Sequence, residues 1–432
     1  MDPAPARPGL VRAIGRWDLT ASVVNGTIGS SIFGMPAVLA ALTGAWSPLA
    51  ALIAALGILA ITLCHAEVAS RFREPGGSYL YAREAYGRTV GFQTGWLSFW
   101  IRTTSMAANL NVFVDYLGQV APAAAAGVGR VAVMGAVTAL VTALNVIGVR
   151  QGARTVDFFT IAKLLPLVLL VVLGLARVSG EVLATQSVAA PDWTHAVLLL
   201  IFAYGGFESA LVPASEAKDP RRDSAFALLV GLAVVASTYM LVQLTVVGIV
   251  PHVAGMRAPV AAAFGVLLGP MGVTLAIVAA MISTYGWTVG AVLTSPRVLY
   301  SMADRGELPK VLARVHPRFR TPDVAIYAFA AAGLGLALAG SFAANATLSA
   351  IVRLVTYAMV CSTVPVFRRR PGLEAPRFRI PAGPAVAVIG LAFCVWLLST
   401  RTFAQTWILG LMIAAGWLLG LLSRRKGTVP TA

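Results

Sequence analysis

Twelve apolar runs, each close to the length of a bilayer-spanning helix, divide almost the whole of this chain. They lie near residues 17–43, 46–70, 89–118, 127–149, 155–177, 192–216, 223–250, 270–303, 325–341, 344–366, 383–399 and 404–422. A hydrocarbon core of about 30 Å is crossed by about 20 apolar residues at a helical rise of about 1.5 Å each. With 58% hydrophobic and 12% charged residues, the 432-residue chain lies far outside the composition of a soluble globular domain. It is therefore predicted to be an all-α, polytopic membrane protein, because helices satisfy their own backbone in lipid.

The formal net charge of +16 invites a nucleic-acid reading, but the placement of the charge gives a better one. Of the 33 Lys and Arg, 25 fall in the N-terminal tail, the loops after runs 2, 4, 6, 8 and 10, or the C-terminal tail. Only Arg130, Arg177, Arg257 and Arg401 flank the opposite loops. The positive-inside rule then places both tails, residues 1–16 and 423–432, in the cytoplasm. No nucleic acid is expected as a partner. The first apolar run continues past any small-residue cleavage site, so no signal peptide is expected. Cys64, Cys361 and Cys394 sit in apolar runs without metal or disulfide spacing and read as core packing. His65, His195, His252 and His316 are scattered, and there is no HExxH or GxSxG, so neither an enzyme nor a cofactor is expected.

Two runs are interrupted at their middles by small residues, Gly29-Ser30-Ser31 in the first and Gly205-Gly206 in the sixth. Unwound backbone at membrane depth survives only where protein buries it or where it lines a watery cavity. Paired breaks of this kind point to the midplane binding site of a secondary transporter. Run 1 enters from the cytoplasm and run 6, an odd number of crossings later, from outside. That opposition fits an inverted repeat, with residues 17–177 as the first half, 192–366 as the second and 383–422 as two further helices. Little residue identity links the halves, so the symmetry rests on placement. Glu74-Pro75-Gly76-Gly77 marks a turn, followed by a short amphipathic helix over Ser78 to Tyr86. That helix and the loop Asp304 to Pro309 are either covers of an inner vestibule or ordinary connectors.

The residues themselves resemble the amino acid-polyamine-organocation (APC) superfamily of amino-acid permeases, over runs 1 to 10. Gly29-Ser30-Ser31-Ile32-Phe33-Gly34-Met35-Pro36 is similar to the family's G-S-G-I-F-x-x-P stretch. Phe202-Ala203-Tyr204-Gly205-Gly206-Phe207-Glu208 and Glu216-Ala217-Lys218-Asp219-Pro220-Arg221-Arg222 resemble its F-x-x-G-F-E and E-x-x-N-P-x-R patterns. Pro296 to Gly306 resembles its R-x-x-Y-x-M-A-x-D-G, and Glu67 to Phe72 supports the match. The resemblance implies the leucine-transporter fold, a 5+5 inverted repeat with helices 1 and 6 broken. One departure stands out: Ser31 occupies the third position of the glycine triplet, where its hydroxyl either narrows the pocket or faces away.

An amino acid offers a carboxylate and an ammonium. The N–H groups at the start of the second half-helix of run 1, from Ile32, suit the carboxylate. Carbonyls of Ile201, Phe202 and Ala203 before the second break suit the ammonium. The resemblance adds Gly26 and Thr27, makes Phe202 the aromatic gate or simply a packing residue, and sets Trp287 and Met106 against the substrate side chain.

Lys163 lies about 14 Å of rise beyond Arg154, and an ammonium at such depth marks function by default. The resemblance assigns it the place of a sodium ion, implying sodium-independent transport coupled to protons or to exchange; the other reading is a permanent cross-linking cation. Arg102, about 16 Å beyond Gly91, shares a helix face with Met106 and Asn109. The resemblance sets that face at the side-chain subsite, so Arg102 either lines it, disfavouring cationic substrates, or pairs internally with Glu208, Asp115 or another carboxylate; Arg353 presents the same choice. Glu208 resembles the family's coupling glutamate, whereas Glu67 is expected to pair with Arg71. The expected function is a secondary carrier of neutral or polar amino acids in the bacterial inner membrane, with an exchanger of acidic or other substrates and a non-transporting sensor as alternatives. A heavy-chain partner would need an external cysteine, and the outward loops hold none, so a single-chain carrier in membrane lipid is expected.

Overall fold

The computed structural model describes residues 15–72, 77–148, 153–208 and 219–425, apart from the side chains of 153–159, 220 and 421–425. Most of both tails, the turn at Glu74-Pro75-Gly76 and the Glu216-Ala217-Lys218 part of the second motif lie outside the described residues. The described residues are overwhelmingly helical and contain no strand. In chain order the helices are α1 (Arg16–Thr27), α2 (Ser31–Thr43), α3 (Ser47–Ala69), α4 (Gly77–Tyr86), α5 (Arg88–Leu117), α6 (Gly127–Ile147), α7 (Ala153–Leu175) and the short α8 (Gly180–Ala184). There follow α9 (Trp193–Tyr204), α10 (Pro220–Ile249), α11 (Pro259–Asp304), α12 (Asp323–Ala339), α13 (Phe342–Arg369), α14 (Gly383–Ser399) and α15 (Phe403–Arg425).

Six continuous helical stretches are long and apolar enough to cross a membrane, and four shorter apolar helices accompany them. Many carry bare Leu, Ile and Val on one side: Leu52, Leu56 and Leu59 on α3, Ile161, Leu165, Val168 and Val172 on α7, Val388, Ile389 and Val395 on α14. Faces of this kind are tolerated in lipid, where exposed apolar surface is not penalised. The polar groups turn inward instead: Lys163, Glu67, His65, Asn109 and Arg353 are all buried.

The sequence places the chain interruptions where the helices stop. α1 ends at Thr27, with Ile28 N donating to Val24 O at 2.9 Å, and α2 restarts at Ser31. The first break is thus Ile28-Gly29-Ser30, one residue earlier than expected, because Ser30 O already accepts from Phe33 N and Gly34 N and so opens the new helix. α9 stops at Tyr204, where Gly205 becomes extended and Gly206 adopts φ 116°. A third interruption escapes the run pattern: α11 turns through left-handed backbone at Gly269 (φ 63°), which separates an outer arm, 259–268, from the long arm 270–304. Gly269 precedes Pro270, whose missing N–H suits a helix start.

α5 packs against α11, α12 and α13, while α10 packs against α1 and α3. α14 lies on α3 and α13, and α15 on α5, both at the periphery. The expected amphipathic helix forms as α4, packed on α5 and α13. It is joined to the loop after α11 through Tyr79, whose hydroxyl donates to Glu307 (3.4 Å) and accepts from Arg305 (3.0 Å); Arg88 pairs with Glu307 at 3.2 Å. The two elements read as possible covers therefore form one polar cap over one end of the bundle.

Candidate functional site

The two breaks touch. A Cβ on Gly206 would overlap Gly26 O, so that position requires glycine, and a Cβ on Gly205 would displace the Arg353 guanidinium. Gly206 requires it twice, since its positive φ is one that side-chain-bearing residues rarely adopt. Between the breaks lies a cavity of only about 10 Å³, lined by Thr27, Gly29, Ser30, Ser31, Ser105, Asn109, Phe202, Gly205, Trp287 and Arg353.

A broken helix leaves carbonyls at one end and N–H groups at the other without intrahelical partners. The carbonyls of the first break are met by donors. Lys163 Nζ donates to Ile28 O (2.7 Å) and Asn25 O (3.2 Å), Trp287 Nε1 to Gly26 O (3.1 Å), and Ser283 Oγ to Gly29 O (3.4 Å). On the N–H side, Ser30 N donates to Asn109 Oδ1 at 3.0 Å. Lys163 is completely buried, and among the described residues its partners are carbonyl oxygens.

The second break is held ionically. Glu208 accepts from Gly206 N (2.9 Å) and from Tyr357 Oη (3.1 Å), and it pairs with the Arg353 guanidinium. Of the pairings open to Arg353, the structure realises the one with Glu208. Asp115 is taken by Arg130 at 2.8 Å, which leaves Arg102 with neither of the carboxylates proposed for it. Arg102 instead lines a separate cavity of about 80 Å³ under the polar cap, together with Glu208, Ser98, Ser295 and Thr356.

The expected site residues thus divide. Thr27, Gly29, Ser30, Ser31, Phe202, Gly205 and Trp287 line the cavity between the breaks, and Gly26 stands behind it, its carbonyl accepting from Trp287. Ile32, Ile201 and Ala203 are buried but do not line it, and Phe202 O accepts from Gly205 N at 3.2 Å. Met106 does not reach it either: its sulfur lies against Gly333 on α12, within the second apolar cluster. One helical step decides this, because Ser105 and Asn109 face the breaks and residue 106 is turned about 100° from Ser105. Ser31 resolves toward α10, its Oγ hydrogen-bonded to the Tyr239 hydroxyl, which packs edge-on to Tyr204 at 5.4 Å. Glu67 pairs chiefly with Arg368 (2.6 and 2.7 Å) and Ile380 N (2.9 Å), with Arg71 more distant at 3.6 Å. A helix-register argument finds Arg71 but cannot find a partner 301 residues away.

Ser105, Asn25 and Ser283 are the site residues that sequence reasoning did not assign, whereas Asn109, expected on the subsite face of its helix, does line the cavity. The one available signal was the helical spacing of Ser98, Arg102, Ser105 and Asn109 on α5. A stripe of polar side chains that includes a charge, within an otherwise apolar run, marks a face turned to a cavity.

Helices broken against each other around a buried polar pocket, with lipid-compatible outer faces, define an integral membrane carrier. The family described as amino acid permease matches residues 14–419, and the chain belongs to it. It is 28% identical to the serine/threonine exchanger SteT of Bacillus subtilis, covering 94% of this chain and 95% of that one. It is 26% identical to the methylthioribose transporter of the same organism, over 96% and 94% of the two chains.

Proposed function

We propose that this permease carries amino acids across the cytoplasmic membrane by alternating access, without sodium and coupled to protons, with neutral or polar side chains favoured. The observation that carries the reading is Lys163, whose ammonium sits on the Asn25 and Ile28 carbonyls at the first break. Carbonyl oxygens at a broken helix are the ligand set of a coupling sodium ion. A lysine on that set supplies the positive charge from within the chain, and an amine can lose and regain a proton.

The architecture that goes with this function is twelve spans, with 17–177 and 192–366 as inverted repeats on the leucine-transporter plan. Both tails and the polar cap face the cytoplasm. The substrate's carboxylate meets the N–H start of α2, its ammonium meets the carbonyl end of α9, and Phe202 and Trp287 close over it. A cavity of about 10 Å³ holds little more than one water, so these gates must swing to admit a ligand. Arg353 in the cavity wall and Arg102 beneath it disfavour cationic side chains.

Uptake of labelled L-serine into proteoliposomes tests this: a pH gradient should drive it, and replacing sodium should leave it unchanged. Uptake that requires sodium and ignores the gradient overturns it. Obligatory exchange is the second reading, favoured by the similarity to SteT; it is distinguished by uptake that occurs only with amino acid preloaded inside. Binding without countertransport would identify a sensor.

A further inference from the structure

The cavity under the polar cap has the chemistry of an anion site. Its charged lining is Arg102 and Glu208. Glu208 is already held by Arg353, Tyr357 and Gly206 N. Arg102 has no hydrogen bond or ion pair with any described residue. With Arg353 counted, one buried and one partly buried guanidinium face one carboxylate among the described residues, leaving one positive charge in excess there. Such a charge is costly inside a membrane protein unless something negative reaches it.

A second donor points the same way. Ser295 on α11 is 2% exposed, lines this cavity, and its Oγ has no hydrogen-bond partner. The hydroxyl hydrogens of Ser98 and Thr356 are committed, Ser98 Oγ donating to Thr94 O and Thr356 Oγ1 to Arg353 O, each at 2.8 Å. Arg102 and the buried Ser295 are left to donate to a ligand, with Ser78 also in the lining, and a guanidinium fork matches the two oxygens of a carboxylate.

The cavity also lies in line with the pocket between the breaks. Ser98, Arg102, Ser105 and Asn109 repeat at four, three and four residues along one face of α5. Asn109 and Ser105 line the pocket, while Arg102 and Ser98 line the lower cavity. The Arg353–Glu208 pair stands between them, its arginine facing one space and its glutamate the other.

We infer that Arg102 and Ser295 form a second, carboxylate-binding site on the cap side of the Arg353–Glu208 pair, a staging point for a carboxylate leaving the pocket between the breaks. The staging role rests on the transport reading above; the site itself does not.

Thermal unfolding of the purified full-length permease tests the site, with acetate as the probe and gluconate, a carboxylate too large for the cavity, as the control at equal ionic strength. Acetate is expected to raise the melting temperature by about 1–2 °C over gluconate, as ligand binding to the native state does. Arg102→Gln and Ser295→Ala, each alone, should remove that rise, whereas Asn109→Ala in the upper pocket should retain it. No rise in the unmodified protein, or a rise that survives in both Arg102→Gln and Ser295→Ala, overturns the inference. L-serine forms the second arm and separates the substrate as carboxylate source from a free acid. A serine shift reduced in Arg102→Gln as well as in Asn109→Ala supports the staging role. A shift with acetate but none with serine sinks the serine-like transport reading and leaves the site standing; a shift with serine but none with acetate does the reverse.

Discussion

The two helix breaks meet at one point but are stabilised by opposite chemistry. The first presents carbonyls, and donors gather on it: the Lys163 ammonium, the Trp287 indole and the Ser283 hydroxyl. The second presents an N–H, at Gly206, and a carboxylate, Glu208, accepts from it. Each break therefore attracts the charge that its own backbone polarity favours, as helix ends do. The consequence differs, however. Among the described residues Lys163 has only neutral partners, whereas Glu208 has a full counter-ion in Arg353 and so is anchored as part of a pair.

The largest expected effect breaks that anchored side. Arg353→Ala would take from Glu208 its direct ion-pair partner and leave only Arg102 across the lower cavity; removal of one partner of a buried pair costs about 3–5 kcal/mol, and the partial exposure of Glu208 and the nearby Arg102 place the loss at about 3 kcal/mol. The melting temperature in detergent should fall accordingly. The double variant Arg353→Met with Glu208→Gln should recover most of the loss, because neither charge then remains uncompensated. A double variant no more stable than Arg353→Ala would mean that the pair is not what holds the second break.

Lys163→Met addresses the other break and should cost less, about 2 kcal/mol. It orphans the Asn25 and Ile28 carbonyls, at about 1–3 kcal/mol for each buried unsatisfied group, but it also removes a desolvated ammonium. The functional effect is larger than the structural one: uptake driven by a pH gradient should disappear while serine binding, read by thermal shift, remains measurable. Gradient-driven uptake at the normal rate in Lys163→Met would show that the first break needs no titratable donor.

How far this contrast was legible in the chain depends on the range of the interaction. Both breaks show in the sequence because glycine and serine interrupt runs of otherwise continuous apolar residues, a local signal. Lys163 was legible as a cation deep in an apolar run, but the choice between a coupling role and a cross-linking one was not. The choice among partners was not legible. Arg102 and Arg353 look alike as lone cations in apolar runs, and only the packing of α13 against the end of α9 gives Arg353 the glutamate and leaves Arg102 beside an 80 Å³ cavity. Met106 failed for a finer reason, a turn of one residue around α5. The kink at Gly269 was hidden because the Gly-Pro step that makes it sits at the edge of an apolar run, where an ordinary helix start looks the same.

A flux comparison sharpens the difference between carboxylates that hold structure and those that serve the site. Glu67 is enclosed by Arg368, Arg71 and Ile380 N, away from both cavities, whereas Glu208 lines the lower one. Glu208→Gln should lower uptake about tenfold, equivalent to about 1.4 kcal/mol on the limiting barrier, and Glu67→Gln should act chiefly on thermal stability. Equal loss of uptake in the two variants, at matched amounts of folded protein, would erase the distinction.

The smallest effect isolates one hydrogen bond of the first break. Trp287→Phe keeps an aromatic ring beside Gly29 but removes the indole N–H from Gly26 O, a bond of 3.1 Å. A buried hydrogen bond of this kind contributes about 1 kcal/mol net. Gly26 O is also the atom against which Gly206 packs, so its loss of a donor loosens the one point where the two breaks touch. The predicted outcome is a small drop in melting temperature with a larger, several-fold rise in the half-saturation concentration for uptake, since the ring would no longer be fixed over the pocket. Should stability fall while half-saturation stays constant, Trp287 is a brace for the first break and the closing of the pocket belongs to Phe202 alone.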